Sequence, residues 1–233
     1  MSTQMSAQVS TQMRPARATQ DIRPAFWARA RRHLSAADPV MARIIAAHPR
    51  VRLASRGDGF TTLARSIVGQ QISVKAADSV WKRLVARCPD MTPAGLLRRR
   101  IATLRSCGLS ERKAEYLRDL ARHFADGHVD MALLAAQEDD LVIEALTGIR
   151  GIGRWTAEMF LIFNLLRPDV FPLDDLGLLK AVGRNYFDGE LPAGLLRGAG
   201  REKVVQLGLR WAPYRSVATW YLWRSLDPVP VEY

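Results

Sequence analysis

Apolar positions recur at helical spacing along almost the whole chain from about Asp21, and short polar, Gly or Pro stretches interrupt them. Asp38-Pro39 pairs a capping side chain with a proline at the first helical position, and predicts a helix running to His48-Pro49. Phe60 to Arg87 reads as one long amphipathic stretch closed by Cys88-Pro89-Asp90, and Thr92-Pro93 opens another helix by the same cap-plus-proline signal. Ser110 caps Glu111–Ala125, whose Ala114, Leu117, Leu120, Ala121 and Phe124 share one face, and Gly127 stops it. Glu138–Leu146, Trp155–Leu166, Leu176–Tyr186, Arg201–Leu207 and Pro213–Leu226 complete the set. Only Val51–Phe60 has room for strand-like chain. The opening Met1–Gln20 is rich in Ser, Thr, Gln and Met, nearly repeats itself, and predicts a disordered tail. The pattern is that of an all-α protein.

Charge adds a partner class. With 34 Lys plus Arg against 23 Asp plus Glu, the 233 residues carry a formal charge of +11, and only five of the basic residues are lysines. Arginine matches phosphate geometry with two parallel donors, so the excess points to a polyanion, nucleic acid first. Two cysteines, Cys88 and Cys107, exclude a four-cysteine zinc site or iron–sulfur cluster within the chain. A reduced, cytoplasmic setting is expected, without a signal peptide, and the longest apolar run, around Met159–Phe163, is far short of a membrane span. His33, His48, His123 and His128 lack ligand spacing. The run Arg98-Arg99-Arg100 suits either phosphate contact or a solvated face.

The segment Leu146-Thr147-Gly148-Ile149-Arg150-Gly151-Ile152-Gly153-Arg154-Trp155-Thr156-Ala157 carries the most information. One helix feeds a tight Gly-rich turn and a second starts directly after Gly153. The second helix start exposes unpaired backbone N–H groups at the positive end of its dipole, which suits a phosphate, and glycines let it come close. A plain packing corner would need glycine only for its dihedrals; the flanking Arg-Trp-Thr-Ala and the +11 charge favour the phosphate.

This hairpin resembles that of the helix–hairpin–helix DNA glycosylase superfamily. Its Trp and the following Phe171-Pro172-Leu173-Asp174-Asp175-Leu176 resemble the 3-methyladenine DNA glycosylase II (AlkA-type) branch, as do Ile67-Val68-Gly69-Gln70-Gln71-Ile72-Ser73 and Trp211-Ala212-Pro213-Tyr214-Arg215-Ser216. The resemblance implies two helical lobes with a cleft between them and no N-terminal β domain. One lobe spans residues 61–173 and ends in the hairpin; the other combines residues 21–60 with 174–233. It also implies a monofunctional glycosylase of base excision repair that hydrolyses the N-glycosidic bond of alkylated purines in duplex DNA by base flipping.

Roles follow residue by residue from the same resemblance. Asp175 is the catalytic carboxylate, an anion that stabilises an oxocarbenium-like sugar and can orient the attacking water. Asp174 beside it is expected to act as the helix cap. Trp155, Met159 and Trp223 form the base pocket, where an indole face attracts a cationic base; Met159 stands where a relative has Tyr. Bifunctional glycosylase/lyases place a Lys at the Trp155 position, so no lyase chemistry is implied here. Gln71 fills the gap in the flipped duplex, and Gly151, Gly153, Arg154 and Thr156 bind the DNA backbone. Gln70 and Arg215-Ser216 read more simply as interhelical bridges. No cofactor is required, although the backbone carbonyls of Thr147, Ile149 and Ile152 match a structural monovalent-cation site. The expected partner is double-stranded DNA with alkylated bases, bound by a monomer in a bacterial cytoplasm, at the nucleoid. A non-catalytic DNA-binding module for damaged duplex is the alternative, and Asp175, Trp155 and Trp223 argue against it because phosphate binding needs none of them.

Overall fold

A computed structural model describes residues 24–226 apart from 51, 52, 54 and 56; the tail expected over residues 1–20 lies outside them. Among the described residues the chain forms helices and no strand. It is all-α, as the hydrophobic periodicity requires, and none of the helices is long and apolar enough to cross a membrane.

The helix starts follow local chemistry. Helix α1 (Trp27–Ala37) ends at Asp38, which caps α2 (Pro39–Ala47) by accepting from the Val40 and Met41 amides. Asp58 caps α3 (Gly59–Gly69), and Ser73 caps α4 (Val74–Arg87). The single stretch predicted over Phe60–Arg87 is therefore two helices. The break falls where Gln71 takes a left-handed φ of 58° and Ser73 turns extended to cap the next helix. Thr92 caps α5 (Pro93–Leu97), α6 is Ile101–Ser106, and Ser110 caps α7 (Glu111–Ala125). Then come α8 (Met131–Ala136), α9 (Asp139–Thr147), α10 (Arg154–Phe163) and α11 (Leu176–Tyr186). The last are α12 (Pro192–Leu195), α13 (Gly198–Trp211) and α14 (Arg215–Leu226). Helix α13 extends beyond the predicted Arg201–Leu207 at both ends, because Gly200, Val204, Leu207, Gly208 and Trp211 are all buried. The strand-like reading of Val51–Phe60 falls partly on undescribed residues, and its end, Gly59 and Phe60, is helical.

The helices pack in two sets. Helix α3 lies against α4, α7 and α10, with α5 and α6 on α7 and α9 on α10. Helices α1 and α2 pack together and against α14, α1 touches α13, and α11 and α12 complete that second group. Aromatic rings join the sets: Phe163 stacks on Trp223 with centroids 5.9 Å apart and meets Trp220 edge-on at 5.6 Å. The returning strand of chain is pinned by Arg215, whose guanidinium makes a two-pronged contact with Asp169, while the buried Ser216 Oγ accepts the Val170 amide. Arg215-Ser216 thus bridges core elements. Arg98 and Arg99 pair with Asp90, and Cys88 and Cys107 are buried, free thiols.

Asp38 closes the second group. Only 1% of it is exposed, and while its Oδ1 caps α2 its Oδ2 accepts from Tyr186 Oη at 2.8 Å and Trp211 Nε1 at 3.0 Å. Burial, reinforced by the Asp38 charge, pushes the Tyr186 hydroxyl far above its ordinary range, so it stays a donor. One carboxylate so ties α2 to α11 and α13 across 148 and 173 positions of sequence.

Asp38→Ala is expected to lose roughly 3 kcal/mol or more of unfolding free energy, since a cap and two hydrogen bonds to a buried charge go together. Asp38→Asn rescues little of this, because an amide –NH2 must face either the helix N–H groups or the indole N–H. Urea denaturation of the three proteins checks both; an Asn variant as stable as the parent would refute the donor assignment.

Candidate active site

The hairpin between α9 and α10 is built from the core outward. Leu146, Ile149 and Ile152 are buried and anchor the turn, while the Ile149 amide donates to the Leu146 carbonyl and the Ile152 amide to the Ile149 carbonyl, both at 3.1 Å. Gly151 sits at φ +87°, and a Cβ there would lie 2.3 Å from the Tyr116 ring, so only glycine fits. Gly153 differs: a Cβ there would meet open space, and its residue caps α10 without a side-chain bond. The first amides of α10 thus face an exposed, side-chain-free approach, the arrangement that favours an anion. Thr147 turns its hydroxyl back onto the Ile143 carbonyl.

Arg154 extends from the same helix start and its Nε contacts Glu158 Oε1 at 3.1 Å. Thr156 is only 6% exposed, so what it can offer a backbone phosphate is its amide, not its hydroxyl face. Gln71 is exposed at the end of α3, and the preceding Gln70 amide donates to the Gly151 carbonyl at 2.8 Å, the interhelical role expected of it. Gln70, Gln71, Lys113, Tyr116, Gly151 and Gly153 line a cavity of about 440 Å³ between this loop and the hairpin.

The carboxylate comes from the turn that follows α10 and leads into α11. Pro172 turns the chain, its carbonyl accepting the Asp175 amide at 3.0 Å, and Asp175 begins α11 with only 8% of its surface exposed. Its Oδ1 accepts the Leu178 amide at 2.6 Å and Trp223 Nε1 at 2.8 Å; its Oδ2 accepts Trp155 Nε1 at 2.7 Å. Asp175, Trp155 and Trp223 therefore form one cluster, a fixed anion between two indoles, one of them 38% exposed. Met159 lies a turn further along α10 and is buried. The cap of α11 is Asp175, not Asp174 as expected: Asp174 is exposed and pairs with Arg201 at 2.7 Å. Being a cap and presenting an anion are here one residue's work.

Two contributors escape sequence reading. Gly177 keeps the cluster open, since a Cβ there would stand 3.1 Å from Asp175 Oδ1 and 3.2 Å from Trp223 Nε1. Glu158 is a second buried carboxylate, one turn beyond Arg154. Burial pushes its carboxyl above the ordinary range, Arg154 draws it back, and the charges of Asp174 and Asp175 add to the upward push. Among the described residues no group of three or more His, Cys, Asp or Glu side chains could hold a metal ion.

Known proteins resemble this chain in sequence and in fold. Residues 64–195 match the family model of the HhH-GPD superfamily base excision DNA repair proteins. The chain is 35% identical over 201 residues to the DNA-3-methyladenine glycosylase of Saccharomyces cerevisiae, covering 72% of this chain and 66% of that protein. Its fold is similar to a DNA-3-methyladenine glycosidase of Bacillus halodurans, with TM-score 0.69, 36% identity and coverage of 82% of this chain and 90% of that one. It is also similar to the Schizosaccharomyces pombe 3-methyladenine DNA glycosylase Mag1 solved with abasic DNA: TM-score 0.72, 29% identity, covering 88% of this chain and 98% of Mag1. The chain spans 59% and 66% of the length of the curated relatives from Bacillus subtilis and Saccharomyces cerevisiae.

The raised Glu158 carboxyl has a sign that can be measured. The folded state holds its proton to higher pH than the unfolded chain, so its contribution to stability is present at low pH and is lost as pH rises through the folded value. Glu158→Gln should therefore unfold at higher urea than the parent at neutral pH, with the difference shrinking as pH falls into the ordinary carboxylate range. The exposed Arg154 partner offsets little of this. A gap that is constant with pH would show that the carboxylate is not destabilised by burial.

Proposed function

The chain belongs to the HhH-GPD superfamily of base excision DNA repair proteins, and we propose that it is a monofunctional DNA glycosylase that removes alkylated purines from duplex DNA. The observation that carries this reading is the Asp175 carboxylate, 8% exposed and held by the indole N–H groups of Trp155 and Trp223. A protein that only gripped phosphates would gain nothing from a buried anion opposite its hairpin. The relatives' names, DNA-3-methyladenine glycosylase and glycosidase, supply the substrate class.

In this reading the α10 amides and Arg154 hold the backbone beside the lesion while Gln71 fills the gap left by the flipped nucleotide. An alkylated purine already bears positive charge, so its bond to C1′ breaks with the electron pair leaving on the base and no general acid is needed. The sugar left behind is oxocarbenium-like. Asp175 faces that charge, and both of its aromatic partners are neutral donors, so no neighbouring cation in this cluster competes with the sugar for its carboxylate. Water then adds at C1′ and its proton passes to Asp175 or to solvent, leaving an abasic site with an intact backbone. The indoles of Trp155 and Trp223 and the thioether of Met159 receive the base, whose cationic ring is attracted by aromatic faces. No amine stands at the Trp155 position to attack the sugar, which supports hydrolysis without strand cleavage. The Thr147, Ile149 and Ile152 carbonyls are neutral oxygen donors that suit a hard monovalent cation, which would brace the hairpin and take no part in bond cleavage. The two helix sets correspond in this reading to lobes flanking the cleft, and the protein acts as a monomer.

Asp175→Asn retains an oxygen for the helix cap and turns its –NH2 toward Trp155, which at 38% exposure can give its N–H to water instead. The fold should therefore survive with some loss of stability, while base release from methylated duplex in single turnover falls on the order of a hundredfold or more. Asp174→Asn should stay within a few-fold of the parent, an exposed ion pair being worth little. A fully active Asp175→Asn would end the carboxylate mechanism. In a separate assay, borohydride added during turnover should trap no covalent protein–DNA complex; a trapped complex would establish lyase chemistry and refute the monofunctional assignment.

A further inference from the structure

One face of α7 touches both DNA-facing loops. Lys113, Tyr116 and Asp119 recur at three-residue spacing, which places them in line on one side of the helix. Lys113 Nζ donates to the Val68 carbonyl at 2.8 Å and the Gln70 carbonyl at 2.7 Å, at the end of α3. These are acceptors that a helix terminus leaves without intrahelical partners. Tyr116 lies against Gly151 so closely that no Cβ is tolerated there. Asp119 accepts the Arg150 amide at 3.0 Å and meets Arg150 Nε at 3.2 Å, and the Gln70 side chain closes the circuit onto the Gly151 carbonyl at 2.8 Å.

Between these contacts stands Gln71, exposed and at φ 58°, a left-handed backbone that a non-glycine residue rarely adopts and that its surroundings must hold. A loop that must enter a duplex gains from being fixed beforehand, since ordering it on binding costs conformational entropy.

We infer that α7 is a bracket, with Lys113 and Gln70 as positioning residues that set the Gln71 loop at a fixed distance from the phosphate-binding hairpin, so that gripping the backbone and filling the gap occur as one rigid step. The inference rests on the glycosylase reading and deepens it. The bracket serves base flipping and leaves bond cleavage alone. Its loss should be felt only where flipping is costly.

The test compares single-turnover release of 7-methylguanine from two duplexes, one with the base paired to cytosine and one with it in a single-nucleotide bulge. Lys113→Met and Gln70→Ala should each lose about tenfold or more on the paired duplex and stay within about twofold on the bulge, where the few kcal/mol of unpairing are already spent. Lys113→Arg, which keeps charge and donors, should recover most of the paired-duplex rate. If melting shows Lys113→Met unfolded at the assay temperature, Gln70→Ala, which removes one half-buried amide, decides. Equal losses on both duplexes, or none on either, overturn the bracket. A parent protein that releases base from neither duplex overturns instead the glycosylase reading on which it stands.

Discussion

A carboxylate taken out of water must find donors for both of its oxygens, and the two most buried aspartates here meet that demand in the same way. Each begins a helix and satisfies that helix with Oδ1; each gives Oδ2 to an aromatic N–H or O–H from a distant segment. At Asp38 the partners are the buried Trp211 and the half-buried Tyr186, and the result is a joint between helices. At Asp175 one partner is the partly exposed Trp155, and the carboxylate keeps a small exposed edge. The two aspartates differ in exposure, 1% for Asp38 against 8% for Asp175.

The same requirement places the aromatic rings. Trp223 can reach Asp175 only because Gly177 leaves space and Phe163 lies parallel beneath it. Phe163 closes α10, so the helix that starts at the hairpin ends under the site. A displacement of α10 would therefore be felt at both its hairpin start and its indole-supporting end.

Much of this was legible in the sequence where the signal is local. Caps such as Asp38, Thr92 and Ser110, the glycines of the hairpin and the periodicity of α7 gave their elements directly. The break between α3 and α4 is hidden in the hydrophobic pattern because apolar positions continue on both sides of it; the fold places Ser73 there as the cap of α4. That Asp175 rather than Asp174 caps α11 is not readable, since neighbouring aspartates are equivalent until the turn geometry chooses one. Gly177 and the Lys113 contacts are invisible for a further reason, since their meaning comes from close approach to segments far away in sequence, while Glu158 is set apart by a burial that its local partner Arg154 does not announce.

The Asp38 joint also sets an order of events during synthesis. Most partners of helices α3 to α10 lie within one continuous stretch, so that set can pack once it leaves the ribosome, apart from the α10 rings that meet α14. Helices α1 and α2 emerge first, yet their buried faces and the Asp38 carboxylate must wait for Tyr186, Trp211 and α14. The Asp175 cluster waits for Trp223, later still. A nascent chain of this protein thus completes its hairpin well before its carboxylate is seated.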